Sequence, residues 1–313
     1  MNNSLAPAIE VNGLRKSYGD HTVLDGIDLR VDPGTVFALL GPNGAGKTTT
    51  VQILTTLISS DAGQVRVGGH ELSREPDAIR AGIGVTGQFA AVDNLLTGEE
   101  NLRLMADLLH LPHRDGRRRA AELLERFDLV RAGKKPASAY SGGMRRRLDI
   151  AMGLVGSPRI IFLDEPTTGL DPRSRRGMWQ IVRDLVGGGV TVFLTTQYLE
   201  EADQLAGSIA LLDRGGIVAE GTPEQLKRMV PGGHITLRFN DIEPLEAAAR
   251  LLGEQSRDTD EFTLQVASDG GVKSLRVLLD RLEEASIEVE ELSIHTPDLD
   301  DVFLSLTGQP QKA

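Results

Sequence analysis

The sequence predicts an α/β fold followed by a small α+β module. Short apolar runs such as Val36–Leu40 and Ile160–Leu163 alternate with helix-forming stretches, the pattern of buried parallel strands joined by helices. Glycine is abundant, 35 of 313 residues, which suits the many tight turns of such a fold. Charge is divided unevenly. Residues 233–313 hold 17 acidic and 7 basic side chains, and the preceding 232 hold 28 and 27. That step, beside the breaker Pro231-Gly232-Gly233, predicts one domain over residues 1–230 and a second over 231–313.

The elements follow in order. Ile9–Tyr18, Val23–Val31 and Thr35–Leu40 read as strands from their β-branched and apolar content, and Lys47–Ile58 reads as a helix. Gln64–Val67 and Ile83–Val85 are further strands. Glu99–Leu109 and Arg117–Phe127 repeat apolar residues at helical spacing and are expected amphipathic helices. Arg145–Val155 is a helix, Ile160–Leu163 a strand, Arg173–Val186 a helix and Val190–Thr195 a strand. In the tail, strands at His234–Phe239, Phe262–Val266 and Ile287–Ile294 alternate with helices at Pro244–Leu252 and Lys273–Ala285, and Leu299–Leu306 is a closing amphipathic helix.

Composition excludes several function classes. Hydrophobic residues make up 40% and charged residues 25%, the balance of a globular protein with a real core. With no cysteine, thiolate metal sites and cysteine nucleophiles are excluded. The net charge of −11 opposes an electrostatic nucleic-acid binder. No apolar stretch approaches the roughly 20 residues that span a bilayer. Met1–Glu10 lacks the basic and apolar regions of a secretory signal. A chain kept in the cytosol is therefore expected, and any membrane part must come from another polypeptide.

Gly41-Pro-Asn-Gly-Ala-Gly46-Lys47-Thr48 fits the phosphate-loop pattern, between an apolar strand and a helix. Its glycines let backbone N–H groups turn toward phosphate oxygens, and the helix dipole faces the same anions. Lys47 would neutralise the β and γ phosphates, and Thr48 would ligate Mg²⁺. Ile160-Ile-Phe-Leu163-Asp164-Glu165 places two carboxylates at the C-terminal end of a buried strand, the edge where open α/β sheets bind ligands. Asp164 would hold Mg²⁺, and Glu165 would orient or deprotonate the attacking water. Ser141-Gly142-Gly143 opens a helix with exposed backbone N–H groups, a second anion site that suggests the nucleotide of a second subunit.

These motifs, with Tyr140-Ser-Gly-Gly-Met144 between the phosphate loop and the Asp164-Glu165 strand, resemble the ATP-binding cassette ATPases over about Ile9 to Leu226. The resemblance implies a P-loop NTPase core with a parallel sheet, an antiparallel β edge and a helical subdomain at about 89–156. It implies ATP and Mg²⁺ as cofactors, with Gly41, Asn43, Gly44, Gly46, Lys47, Thr48 and Thr49 around the nucleotide. Tyr18 looks like the aromatic that stacks on adenine. Gln88 looks like the glutamine that senses Mg²⁺ and links to the membrane partner. Asp171, in Gly169-Leu170-Asp171, looks like the dimer-interface aspartate. Expected partners are a second copy, closing head to tail over two ATP molecules, and a separate permease of about six spans per subunit. The expected place is the cytoplasmic face of the plasma membrane; no nucleic acid and no metal cluster are expected as partners.

Two departures narrow the resemblance. Thr195-Thr196-Gln197 has glutamine where the family usually has a γ-phosphate-contacting histidine, and the signature reads YSGGM. An amide can donate to phosphate but carries no charge. With the run Thr195–Asp203 and the tail Leu299-Asp-Asp-Val-Phe303-Leu, these features are similar to the daunorubicin-resistance type of drug-export ATPase. Amphipathic drug-like or lipid-like cargo is the implied substrate class. The alternatives are an importer ATPase, against which the signature and the Thr195–Asp203 run speak, and a cytosolic ATPase switch needing no permease. The acidic tail reads either as a regulatory domain that dimerises or as a stability cap. Three other signals are read as bland. Gly82-Ile-Gly84-Val-Thr-Gly87 lacks the helix a dinucleotide site needs, His110 and His113 lack a carboxylate partner for a metal, and Arg145-Arg146-Arg147 reads as a solvated helix face.

Overall fold

The computed structural model describes residues 6–88, 90–230, 233–253, 256–268 and 271–308. It divides into two compact units, Met1–Pro223 and Glu224–Ala313. Pro231 and Gly232 of the expected boundary lie outside the described residues, as do Phe89 and residues 1–5.

The first unit opens with β1 (Ile9–Tyr18), β2 (His21–Val31), β3 (Val36–Leu40) and α1 (Lys47–Leu54). Next come β4 (Ala62–Val67), β5 (His70–Glu71), α2 (Pro76–Gly82) and β6 (Ile83–Thr86). Three helices follow, α3 (Gly98–Leu108), α4 (His113–Arg126) and α5 (Gly142–Gly153), in the stretch expected to be a helical subdomain. The chain returns through β7 (Ile160–Asp164), α6 (Pro172–Gly187), β8 (Thr191–Thr196), α7 (Leu199–Leu205), β9 (Ser208–Asp213) and β10 (Gly216–Gly221). A short α8 (Pro223–Lys227) begins at the division.

One sheet is antiparallel, in the order β2-β1-β4-β5; the other runs β10-β9-β3-β8-β7-β6. Only β10 is antiparallel to its neighbour in the second sheet. Strands β3 and β7 are buried at every residue, because layers cover both faces of a parallel sheet. Phe37, Phe162 and Phe193 alternate with Val36, Ile161 and Val192, so the two sets fall into separate cores. Phe193 lies 5.4 Å from both other rings, centroid to centroid. Each such fully buried ring contributes about 2–3 kcal/mol through burial.

Some elements differ from expectation. The helix expected over Lys47–Ile58 ends at Leu54, because Thr56 turns into the left-handed region at φ 65°. Leu57 N–H then closes on the Gln52 carbonyl at 2.8 Å. Helix α5 starts at Gly142, capped by Ser141, rather than at Arg145. Gly84 serves packing: a Cβ there would lie 2.3 Å from the Gly153 carbonyl oxygen. Gly84 thus lets β6 approach α5.

The second unit contains β11 (His234–Arg238), α9 (Ile242–Leu252), β12 (Ser256–Asp258), β13 (Thr263–Ala267), α10 (Val272–Glu284), β14 (Glu291–His295) and α11 (Leu299–Thr307). Its sheet is antiparallel, in the order β12-β13-β11-β14. Ile235, Leu237, Phe239, Leu245, Leu264 and Leu282 build its own core. Strand β14 begins at Glu291 rather than Ile287, because Ser286 takes φ 54° and Ile287 N–H bonds the Leu282 carbonyl, closing α10. Among the described residues, no helix is long and apolar enough to cross a membrane.

Candidate active site

The sheet order sets the site. Strands β3, β8 and β7 lie side by side and parallel, pairing Leu40 with Thr196 and Asp164 with Thr195. Their C-terminal ends therefore bring Gly41, Gln197 and Glu165 to one edge. Gln88, exposed, follows β6, whose Thr86 pairs with Leu163. Residues distant in sequence meet because parallel strands all exit on the same side.

The loop from Gly41 to Gly46 leads into α1. Gly46 caps that helix at φ 110°, a conformation that side chains avoid. Asn43 and Gly44 are exposed at the loop tip, and Thr48 and Thr49 lie in the first turn of α1. Lys47 is buried, 4% exposed, and its ammonium donates to the carbonyls of Gly41 at 2.8 Å and Pro42 at 3.1 Å. Its Nζ is also 3.4 Å from Glu165 Oε1. Burial pushes the ammonium pKa down, and the neighbouring carboxylates of Glu165 and Asp164 oppose that shift.

Thr48 Oγ1–H donates to Asp164 Oδ2 at 3.1 Å. Thr195 Oγ1–H donates to Asp164 Oδ1. The Glu165 N–H reaches both the Thr195 carbonyl and its hydroxyl at 3.1 Å. Glu165 itself sits at φ 46°, and its Oε2 accepts from Thr168 Oγ1 at 3.2 Å. The structure thus unites Lys47, Thr48, Asp164 and Glu165. Thr195 and Thr168 were not legible as members, since only the fold brings Thr195 beside Asp164.

The other expected residues stand on separate elements of the first unit. Tyr18 ends β1 with its ring half exposed and Lys16 Nζ 5.4 Å from the centroid. Ser141 caps α5, accepting from the Met144 N–H at 3.3 Å, and it and Gly142 are exposed. Gly143 lines an open cavity of about 430 Å³ with Ser141, Arg147, Arg173 and Ser174. Asp171 caps α6, accepting N–H bonds from Arg173 and Ser174 at 3.0 Å. The Ser174 hydroxyl, donating to the same carboxylate at 2.5 Å, holds its pKa below the usual range. Arg175 of α6 stacks over Tyr198, next to Gln197, at 4.9 Å.

The basic run Arg145-Arg146-Arg147 is not a solvated face. Arg146 is 7% exposed and bonds the carbonyls of Gly87, Asp164 and Pro166 at 2.7, 2.8 and 3.0 Å. Arg147 bonds the Phe127 carbonyl at 3.0 Å. One signal was present: Arg146 shares a helix face with Asp149 and the apolar Ile150.

Residues 24–168 match the family model described as ABC transporter, and residues 221–307 the one described as ATP-binding protein DrrA1-3-like, C-terminal domain. The chain is 51% identical over 307 residues to the daunorubicin resistance ATP-binding protein DrrA3 of Streptomyces coeruleorubidus, covering 97% of each chain. It is 48% identical to the daunorubicin/doxorubicin resistance ATP-binding protein DrrA of Streptomyces peucetius, covering 99% of this chain and 95% of that one. Among solved structures, an ATP-binding cassette in a dimeric post-hydrolysis state with ADP and Pi matches at TM-score 0.62 and 26% identity, over 68% of this chain and 98% of that one. With the phosphate loop and its carboxylates assembled at the sheet edge, the chain belongs to the ATP-binding cassette ATPases, among those of the daunorubicin-resistance type, and is an ATP-hydrolysing enzyme.

Proposed function

We propose that this chain is the ATP-driven subunit of an exporter for amphipathic drug-like or lipid-like molecules, working with a separate permease at the cytoplasmic face of the plasma membrane. The observation that supports the ATP-driven step is the meeting of Lys47, Thr48, Asp164 and Glu165 at one sheet edge, and the export reading is supported by the likeness to the daunorubicin resistance proteins. Residues 1–230 act as the nucleotide-binding domain and 231–313 as an accessory domain. Two copies close head to tail, each ATP lying between Gly41–Thr48 of one and Ser141–Gly143 of the other, with Asp171 at the interface. Tyr18 stacks on adenine, and Gln197 donates to the γ-phosphate.

Mg²⁺ fits the pair of hard oxygen donors, Thr48 Oγ1 and Asp164 Oδ2, which lie 3.1 Å apart beside the phosphate loop. Thr48 and Asp164 would hold the ion, with Gln88 as the further ligand the resemblance implies, and it would supply positive charge to the β and γ phosphates. Lys47, now shared between loop carbonyls and Glu165, turns toward the triphosphate. That releases Glu165 to accept the proton of the water attacking the γ-phosphorus, and ADP leaves as the oxygen–phosphorus bond breaks. Thr195 keeps Glu165 in place through its backbone N–H.

Membrane vesicles carrying the chain with its co-purifying permease are expected to accumulate daunorubicin on addition of ATP, and Lys47→Ala is expected to stop this. Uptake independent of ATP, or a chain that co-purifies with ribosomes and no membrane protein, refutes the exporter reading.

A further inference from the structure

Helix α5 carries a buried ion pair that the mechanism above does not use. Arg146 and Asp149 are 7% and 4% exposed and lie 3.1 Å apart, Nη1 to Oδ2. Burying such a pair is costly, and apolar residues of the same volume are often as stable or more so. The bonds it makes are therefore informative. Nε donates to the Pro166 carbonyl at 3.0 Å and Nη2 to the Asp164 carbonyl at 2.8 Å. These two carbonyls flank Glu165. Nη1 donates to the Gly87 carbonyl at 2.7 Å. Asp149 Oδ1 accepts the Ala91 N–H at 2.9 Å. One guanidinium and its carboxylate thus hold the exit of β7 and two points of the chain after β6, from the helix that Ser141 caps.

We infer that Arg146, oriented by Asp149, is a positioning residue for ATP hydrolysis: it fixes the backbone on both sides of Glu165 and ties it to Gly87 and Ala91. The planar fork suits this role, because it reaches several carbonyls at once in fixed directions, which an ammonium cannot do. The inference rests on the reading of Glu165 as the group that accepts the water proton. Arg146 touches no part of the phosphate loop in these bonds, so nucleotide affinity and hydrolysis should separate.

The test uses the full-length chain. In Arg146→Met with Asp149→Leu both charges leave together, so neither is stranded. Thermal midpoint, affinity for a non-hydrolysable ATP analogue and kcat are measured on the same preparation. The expected result is an unchanged analogue affinity with kcat lowered by about tenfold to a hundredfold, together with a lower midpoint, because the Gly87, Asp164 and Pro166 carbonyls and the Ala91 N–H lose these partners. A wild-type kcat overturns the inference, and so does a parallel loss of midpoint, affinity and kcat, which marks a purely structural pair. If the double variant does not fold, Arg146→Lys replaces it: a lowered kcat at unchanged KM supports the role, and a wild-type kcat overturns it. Glu165→Gln is assayed alongside. If that chain still hydrolyses ATP at the wild-type rate, the reading of Glu165 fails and takes the inference with it.

Discussion

Glu165 is held in the left-handed region at φ 46° by the Thr195 carbonyl and hydroxyl. A non-glycine residue there costs about 1–2 kcal/mol. In urea unfolding, Glu165→Gly is therefore expected to be more stable than Glu165→Ala by about 1 kcal/mol, although both lack the carboxylate. Lys47→Ala is expected to weaken ATP binding by about tenfold or more, read by titration with a fluorescent analogue. Glu201, fully buried, shows a different effect. Burial pushes its carboxyl pKa up, against the hydrogen bond from the Trp179 indole and the charge of Arg175. The folded chain then keeps this proton longer than the unfolded chain. Its contribution is full below the unfolded carboxylate range and is lost as pH rises toward the raised value. Glu201→Gln should thus gain stability relative to wild type as pH rises from acid toward neutral, in melts across that range. Gly41–Thr48 and Asp164-Glu165 were legible because their chemistry is written in local spacing. Thr195 and Arg146 were not, because tertiary neighbours define what they do.

At the scale of elements, the N-cap of α6 has a role in the fold and a proposed one at an interface. Asp171 satisfies the N–H groups of Arg173 and Ser174, and the resemblance also places it at a dimer interface. Asp171→Ala is expected to cost about 1 kcal/mol of stability by denaturant unfolding. Asp171→Asn keeps the acceptor and should cost less. If Asp171→Asn still loses ATP-driven dimerisation by light scattering, the interface role is independent of the cap. Strand β9 adds to the expected strands, and its run Ile209–Leu212 is as short, apolar and buried as Val36–Leu40. Two-residue β5 carries no period at all. The early end of α1 was illegible for a different reason. Leu57 and Ile58 prolong the apolar pattern, but Thr56 reverses the backbone before them.

Across the whole molecule, two units with separate cores share one chain. Residues 233–313 carry a net charge of −10 in a chain of −11. Such repulsion falls as salt rises, because screening shortens its range to about 8 Å at physiological strength. Calorimetry is expected to show a transition of the acidic unit that moves upward with salt, while that of the first unit barely shifts. A single transition insensitive to salt would contradict this. The α/β class and the acidic tail were visible in composition and alternation. The antiparallel partner β1 finds in β4 was not visible, because about thirty residues of other structure, β3 and α1 included, lie between β2 and β4. The chain has one tryptophan, Trp179, 7% exposed in α6, and its indole N–H donates to Glu201 of α7 at 3.2 Å. Helix α7 follows directly on Gln197 and Tyr198. The protein therefore contains its own optical probe. Light absorbed by that single indole returns a colour and intensity that depend on its surroundings, Glu201 among them, so a shift of α7 against α6 when nucleotide arrives can be followed in real time without attaching a dye.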